Sequence, residues 1–518
     1  MNGNNKKYLI KNIVTPVSNR IDLHKIISTK LKISEVAIRN ITVLKKSIDA
    51  RKKNNIKYNF TCIAEIDYKI KNNNDVLQYS EPEPYLKSVN KIPDKHPFII
   101  GEGPAGLFTA LGLVEKGYEP YIFERGKSIA EREKDVEIFW EKSILNTNSN
   151  VQFGEGGAGT FSDGKLTARN QDYYTNKVFD YLIKFGADKS IKYDALPHLG
   201  TDKIRIIVKN IRNYLIKHNA KFFWNSSLND ITLQNGKITQ IKINDEIYEP
   251  GIIILAIGNS SRDTFEMLYN KGVCFQSKPF ALGFRIEHSQ EFINNAIYGK
   301  FTKFLGNATY RLTAKIPKRG AYSFCMCPGG FVVASASEEK MQVTNGMSYA
   351  KRDNHLANSA IVVTVSQNDF GNNALDGIKF QRVLEKKAFS KSFPYFSPFQ
   401  TATDFIKQIS ASKIYKTSYK PGSYPSDFNN IFPKEISNSL KSALIKFNKK
   451  ISGFLQNGIL LGVETRTSSP VRILRDKETF HSLNISNLYP IGEGSGYAGG
   501  IVSSAADGYK LSQTFYER

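Results

Sequence analysis

Cysteine is scarce. Four in 518 residues are too few to staple a fold, which excludes a small disulfide scaffold and suits a reducing compartment. Long apolar runs are also missing. The longest, Ile252 to Ile257, has the length of a strand and falls far short of the ~18 residues of a membrane helix. The opening MNGNNKKYLI is polar and lacks the apolar segment of a secretory signal. These absences point to a cytoplasmic protein with no place in a membrane. Acidic residues are outnumbered, 48 against 72 Lys and Arg, for a net charge of +24. The 37 glycines and 19 prolines sit near average usage, which excludes collagen-like and low-complexity chains.

What is present is ample core material. Hydrophobic residues make up 41% and aromatics 12%, and a chain of this length allows about three domains at ~150 residues each. The basic surplus favours anionic ligands. Its clusters, Lys6-Lys7 and Arg51-Lys52-Lys53, are short. Lysine outweighs arginine, and Asn and Ile are abundant, as AT-rich codon usage also yields. The charge therefore reads as solvated surface and disfavours nucleic acid as a partner.

No repeat of 20–50 residues is apparent. Residues 1–92 form a small N-terminal α/β unit by their pattern: a strand at Tyr8 to Val14, a helix at Leu23 to Leu31, then strands at Ile38 to Lys46 and Tyr58 to Ile66. The order β-α-β-β suggests a ferredoxin-like arrangement. The Asn- and Pro-rich stretch from Asn72 to Pro93 reads as a linker.

At His96 the texture changes to strand, Gly-rich turn, helix, strand. Phe98 to Ile100 and Tyr121 to Phe123 are the strands, and Gly101, Gly103 and Gly106 make G-x-G-x-x-G between them. Such glycines allow the tight turn, the close approach of backbone to a pyrophosphate, and helix-to-strand packing. Pro104 and Ala105 open the helix. Glu124 lies 18 residues past Gly106, where a carboxylate can accept both hydroxyl protons of an adenosine ribose. Arg125 follows and could meet a 2′-phosphate. The carboxylate argues against that phosphate and favours FAD or NAD over NADP. Glu102, between the first two glycines, is out of place beside a pyrophosphate unless it points away or is paired.

Two further Gly-rich stretches favour FAD. VQFGEGGAGTFSDGKL, residues 151–166, holds Gly154, Gly156, Gly157 and Gly159, with Thr160, Ser162, Asp163 and Lys165 as polar contacts. Residues 491–508 place Gly492, Glu493, Gly494, Gly496, Gly499 and Gly500 before a small-residue helix that starts at Ile501. That helix start offers N–H donors and a positive dipole end to a reduced flavin. Three approaches of bare backbone suit a ligand as long as FAD.

Taken together these segments resemble the two-dinucleotide-binding-domain flavoproteins, and more narrowly the bacterial family of uncharacterised FAD-dependent dehydrogenases. Besides the stretches above, PHLGTDKIRIIVKNIR (197–212), LAIGNSSRDTFEML (255–268), KPFALGFRIEH (278–288) and YSFCMCPGGFVV (322–333) carry the likeness. The resemblance implies an α/β fold: a GR2-type Rossmann FAD-binding domain (93–275 and 476–518), interrupted by a mixed α+β substrate domain (276–475). It implies that Ala256 and Gly258 form a second FAD motif and that Glu493 stands where an Asp usually binds the ribityl chain. It carries a cofactor and a reaction class but no reactant.

The expected function is hydride exchange between FAD and a small, anionic substrate. An FAD monooxygenase is the alternative enzyme, and an RNA- or protein-binding module with structural FAD the alternative of another class. No second nucleotide fingerprint is visible, so NAD(P)H enters only as a transient electron donor. Candidate catalytic residues are Arg285 and His288, for anion binding or proton movement, and the pair Cys325 and Cys327. His198 and Arg169 are weaker candidates for ligand contact. No cysteine spacing supports a zinc site.

Overall fold

Alternation of buried and open residues builds the first unit. In strand Lys57–Ile66 every second side chain, from Tyr58 to Ile66, turns inward, as a sheet covered on one face requires. The amphipathic helix Leu23–Leu31 begins at Asp22, whose carboxylate accepts from the Lys25 N–H. The four strands run in the order 38–49, 57–66, 6–16, 76–78, each antiparallel to its neighbour. This is the strand order of a ferredoxin-like sheet. The short Asn-rich stretch 67–75 reaches the fourth strand without a second helix. The computed structural model describes residues 6–518 except 19, 94, 168–171 and 412–414.

A parallel sheet follows. Its five strands stand in the order Leu488–Pro490, Ile253–Leu255, Phe98–Ile100, Tyr121–Phe123, Lys221–Phe223. Strands this short and, apart from the edge strand Lys221–Phe223, apolar throughout are those of a sheet covered on both faces. The helix Pro104–Glu115 runs from the central strand, with Pro104 at its first turn, where a missing N–H costs nothing. It packs on the C-terminal helix Ile501–Gln513. Small residues let the two axes approach: a Cβ on Gly508 would come within 2.1 Å of the Ala105 carbonyl. An antiparallel meander, Leu228–Gln234, Lys237–Ile243 and Glu246–Tyr248, leads back to the sheet.

The third unit is a seven-stranded mixed sheet that includes Arg319–Cys327, Leu356–Val365, Phe280–Ser289 and Ile459–Glu464 as neighbours. The helix Lys434–Lys450 lies on it, burying Leu440, Leu444 and Phe447. The chain enters this unit through Phe275–Ser277 and leaves through Val471–Ile473, and these two strands pair antiparallel. An ion network fastens the unit to the parallel-sheet domain. The buried Arg262, at the start of helix Arg262–Asn270, holds Glu385 at 2.7 Å and Glu338 at 2.5 Å, and Arg466 holds Glu385 at 2.9 Å. Among the described residues no helix is long and apolar enough to cross a membrane.

Candidate functional site

The site begins at the carboxyl end of the central strand, where open α/β sheets bind ligands. Gly101 takes φ +103, and a Cβ there would lie 2.5 Å from the Ala256 carbonyl. A side chain at Gly106 would strike the Gly101 carbonyl at 2.0 Å, so this glycine serves the turn. Gly103 differs. The nearest atom to its would-be Cβ is the Gly157 Cα at 3.9 Å, and its bare face opens on the cleft.

That cleft has a cavity volume of about 250 Å³ and is partly open to solvent. One wall is Gly101, Gly103, Pro104 and Ala105, facing Gly157, Ala158, Gly159 and Ser162. Glu124, Arg125 and Phe153 line one stretch, and Ala256, Gly258 and Asn259 another. Glu493, Gly499, Gly500 and Ile501 come from the C-terminal segment. The inserted domain closes the remainder with Phe324, Cys325, Asn345, Glu464, Arg466 and Thr467. Segments spread over four hundred positions thus meet along one cleft, where Gly101, Gly103, Gly157, Gly159, Gly258, Gly499 and Gly500 bare the main chain. The lining fits a long phosphorylated dinucleotide, because glycine N–H groups are the donors such a ligand needs.

The Gly-rich loop is held from behind. Arg132, fully buried, donates to the carbonyls of Asn150, Val151, Gly154 and Glu155 at 2.8–3.2 Å and to the Thr160 hydroxyl at 2.7 Å. Burial pulls its pKa down to about 9, against the pull of Glu124 and Glu155. The loop passes so close that a Cβ on Gly154 would sit 2.3 Å from the Arg132 Cδ. No pattern in the sequence marks Arg132, because the surrounding IAEREKD stretch reads as a solvated helix.

Glu124 ties the fingerprint to this loop. Its carboxylate accepts from the N–H groups of Glu102, Gly126 and Gly154 at 2.8–2.9 Å. A carboxylate has about four acceptor sites, so one further donor can be accommodated, not the two ribose hydroxyls expected from sequence. Glu102 points away from the cleft. It is buried, accepts from the Trp224 indole at 2.8 Å, and lies near the buried Glu155 and Glu124. Burial, with Glu155 and Glu124 adding to it, holds the Glu102 carboxyl well above the ordinary range.

Several expected contacts lie elsewhere. Thr160 is buried beneath the loop on Arg132. Gly156 packs on Thr160 and Val208, and Gly492 on Ala105, so both shape the wall without forming it. Lys165 turns to Asp163 at 2.8 Å and toward the thiols of Cys325 and Cys327. Arg125 lies over the Phe153 ring and pairs with Asp263. His288 is withdrawn: fully buried, it meets the Phe454 carbonyl at 2.8 Å, and burial lowers its pKa to about 4. Arg285 is equally buried, in a bidentate pair with Glu464 at 2.9 and 3.0 Å. Neither reaches a ligand in the cleft. Their strand, Phe280–Ser289, is central in its sheet and buried almost throughout. Cys325 lines the cleft, and Cys327 is buried behind it. His198 is half-buried against the Ala350 carbonyl, and Arg169 lies outside the described residues. Asn345, Glu464 and Arg466 escaped the sequence reading, since only folding brings them to the ligand side.

A parallel sheet with a Gly-rich turn at its central strand, and a cleft shared with an inserted domain, defines a dinucleotide-binding flavoprotein. A family model described as "FAD-dependent protein, C-terminal domain-like" matches residues 279–467, and a domain of unknown function matches residues 9–65. An uncharacterised protein of Clostridium beijerinckii is 44% identical over 511 residues, 96% of each chain. The chain belongs to that protein's family, a family of FAD-dependent proteins, and FAD is its cofactor. Among solved structures, CtdE in complex with FAD is similar at 11% identity and TM-score 0.30, covering 81% of this chain and 83% of that one. Glycine oxidase from Bacillus cereus is similar at 12% and 0.33, covering 81% and 94%. Likenesses this distant carry no functional argument.

Three outcomes test the site. Gly103→Val should fold normally and lose FAD, because its side chain fills the open face of the turn; a variant that purifies as yellow as the parent would refute the placement. Arg132→Met leaves five acceptors of the loop without their donor, each costing about 1–3 kcal/mol if buried. A lower melting temperature and weaker FAD retention are expected together. The third concerns Glu493. Burial pushes its pKa up to about 7 against Lys278 and the Asn259 amide, while an unfolded Glu titrates near ~4.3. The folded protein therefore binds this proton more tightly. The stabilisation is full below the unfolded value and is lost as pH rises through about 7. In melting curves across that window, Glu493→Gln should lose part of the parent's decline, and an unchanged slope would exclude Glu493 as its source.

Proposed function

We propose that the protein is an FAD-dependent oxidoreductase in which the cofactor lies along the cleft and a small substrate enters where the inserted domain closes it. The carrying observation is the convergence of Gly101–Gly103, Gly157–Gly159 and Gly499–Gly500 on one cavity, with Cys325, Asn345 and Glu464 on the opposing wall. In this reading Gly101, Gly103 and the Gly157–Gly159 loop hold the pyrophosphate. Glu124 takes one ribose hydroxyl, and Glu493 with Asn259 faces the ribityl chain. The start of helix Ile501–Gln513 stabilises negative charge on the ring. FAD supplies the hydride chemistry at N5. The protein's part is to position and to exclude water.

The lining tempers the expectation of an anionic substrate. Arg125 and Arg466, which face the cleft, are already paired with Asp263 and Glu385. Specificity in this reading rests on Asn345 and the neighbouring polar groups, with charge in a smaller part.

The experiment is spectroscopic. The purified protein should show visible flavin absorption, and its denatured supernatant should contain FAD. Anaerobic addition of NADH and NADPH, separately, then identifies any nicotinamide donor by bleaching of that band. Bleaching without oxygen and without a second substrate supports a dehydrogenase or reductase. A flavin that turns over only with stoichiometric oxygen insertion into a product would replace this reading with a monooxygenase.

A further inference from the structure

The strand Arg319–Cys327 pairs regularly with Leu356–Val365 until Phe324, where the register slips before Cys327. This is a bulge, a device that re-aims side chains near functional sites. Within it Cys325 adopts φ +44, a left-handed backbone that costs a non-glycine residue free energy. The two sulfurs lie side by side. Their separation is 3.9 Å, about 2 Å beyond a disulfide bond. Cys325 is half-buried and lines the cleft, while Cys327 is buried behind it.

A cation serves both. Lys165 Nζ stands 3.8 Å from Cys325 Sγ and 3.9 Å from Cys327 Sγ. Asp163 fixes the lysine at 2.8 Å, and Asp163 is itself held by Ser348 and Arg352, both at 2.6 Å. On the other side Arg285 donates to the Cys325 carbonyl at 3.1 Å. The charged groups around the sulfurs are thus Lys165 and Arg285, with Asp163 and Glu464, the carboxylate paired with Arg285, opposing them. Hydrogen bonding from Cys327, together with the two cations, draws the Cys325 thiol well below its ordinary range. Burial drives Cys327 the other way.

We propose that Cys325 and Cys327 form a redox-active dithiol at the substrate end of the cleft, with a small-molecule disulfide as its substrate class. The Cys325 thiolate attacks one sulfur of R–S–S–R′. A Cys325–S–S–R bond forms, and R′S⁻ leaves, taking up the proton that Cys327 releases. Cys327 then attacks Cys325 Sγ, forming the Cys325–Cys327 bond and expelling RS⁻, which takes a proton from water. The substrate gains two electrons and the dithiol loses two; an external dithiol returns them. Lys165 is the positioning residue, acting through the charge it presents to both sulfurs. Thiolate attack needs no cofactor, so the proposal stands or falls apart from the flavin reading.

The test uses the whole protein as purified, with pre-reduced thiols. Iodoacetamide labelling, mapped by peptide mass spectrometry, should modify Cys325 ahead of the partly exposed Cys274 at mildly acidic pH. Lys165→Met should slow Cys325 labelling at neutral pH about tenfold, the effect of one pKa unit. With one equivalent of the aromatic disulfide DTNB, the parent should release two thionitrobenzoate ions and end two hydrogens lighter. Cys327→Ser should stop at a stable mixed disulfide on Cys325. Cys325 labelled no faster than Cys274, or a parent protein that retains the adduct as the variant does, would overturn the proposal. The labelling comparison on the parent protein keeps the test decisive if a variant fails to fold.

Discussion

A single buried guanidinium sets the geometry on which the cleft depends. A Gly-rich loop has little side chain with which to pack, and its carbonyls need donors once water is excluded. Arg132 supplies them from a helix that the loop crosses, gathering four carbonyls and one hydroxyl around a planar group. The planar fork suits this task as a lysine would not. With its carbonyls turned to Arg132, the loop presents its other face to the cleft. The carboxylates of Glu124 and Glu155 nearby offset part of the cost of burying that charge.

Those carboxylates extend the same logic. Glu124 binds N–H groups from three separate segments, so the fingerprint turn and the Gly-rich loop are fixed relative to each other before any ligand arrives. Glu155 accepts from the Ile129 N–H and pairs with Arg212. Glu102, at an unusual place for an acid, is turned inward to Trp224. Pre-organisation of this kind reduces the ordering that binding would otherwise have to drive.

The inserted domain contributes by contrast with side chains. Its bulge at Cys325, the Glu464 carboxylate held from behind by the buried Arg285, and the Asn345 amide all meet at the cleft's far wall. The Arg262–Glu385–Arg466 network joins the two domains through buried, paired charges. Such pairs are costly to break from one side, which holds the two walls in a fixed relation.

Local chemistry was legible in the chain itself. Short apolar runs fixed Phe98–Ile100 and Tyr121–Phe123, amphipathic spacing fixed Leu23–Leu31, and glycines at 101, 103 and 106 marked the turn, because each depends on neighbours a few residues away. Glycine clusters at 154–159 and 492–500 announced bare backbone, since few other uses explain so many. Tertiary structure alone decided which polar groups face a ligand. Strand alternation is silent on which face of a central strand becomes a cleft, so Arg285 and His288 looked available and proved buried. Arg132 and Asn345 looked ordinary and proved to hold or line the site. The partners that settle such roles lie tens to hundreds of residues away, and only packing brings them within the few ångströms over which hydrogen bonds and charges act.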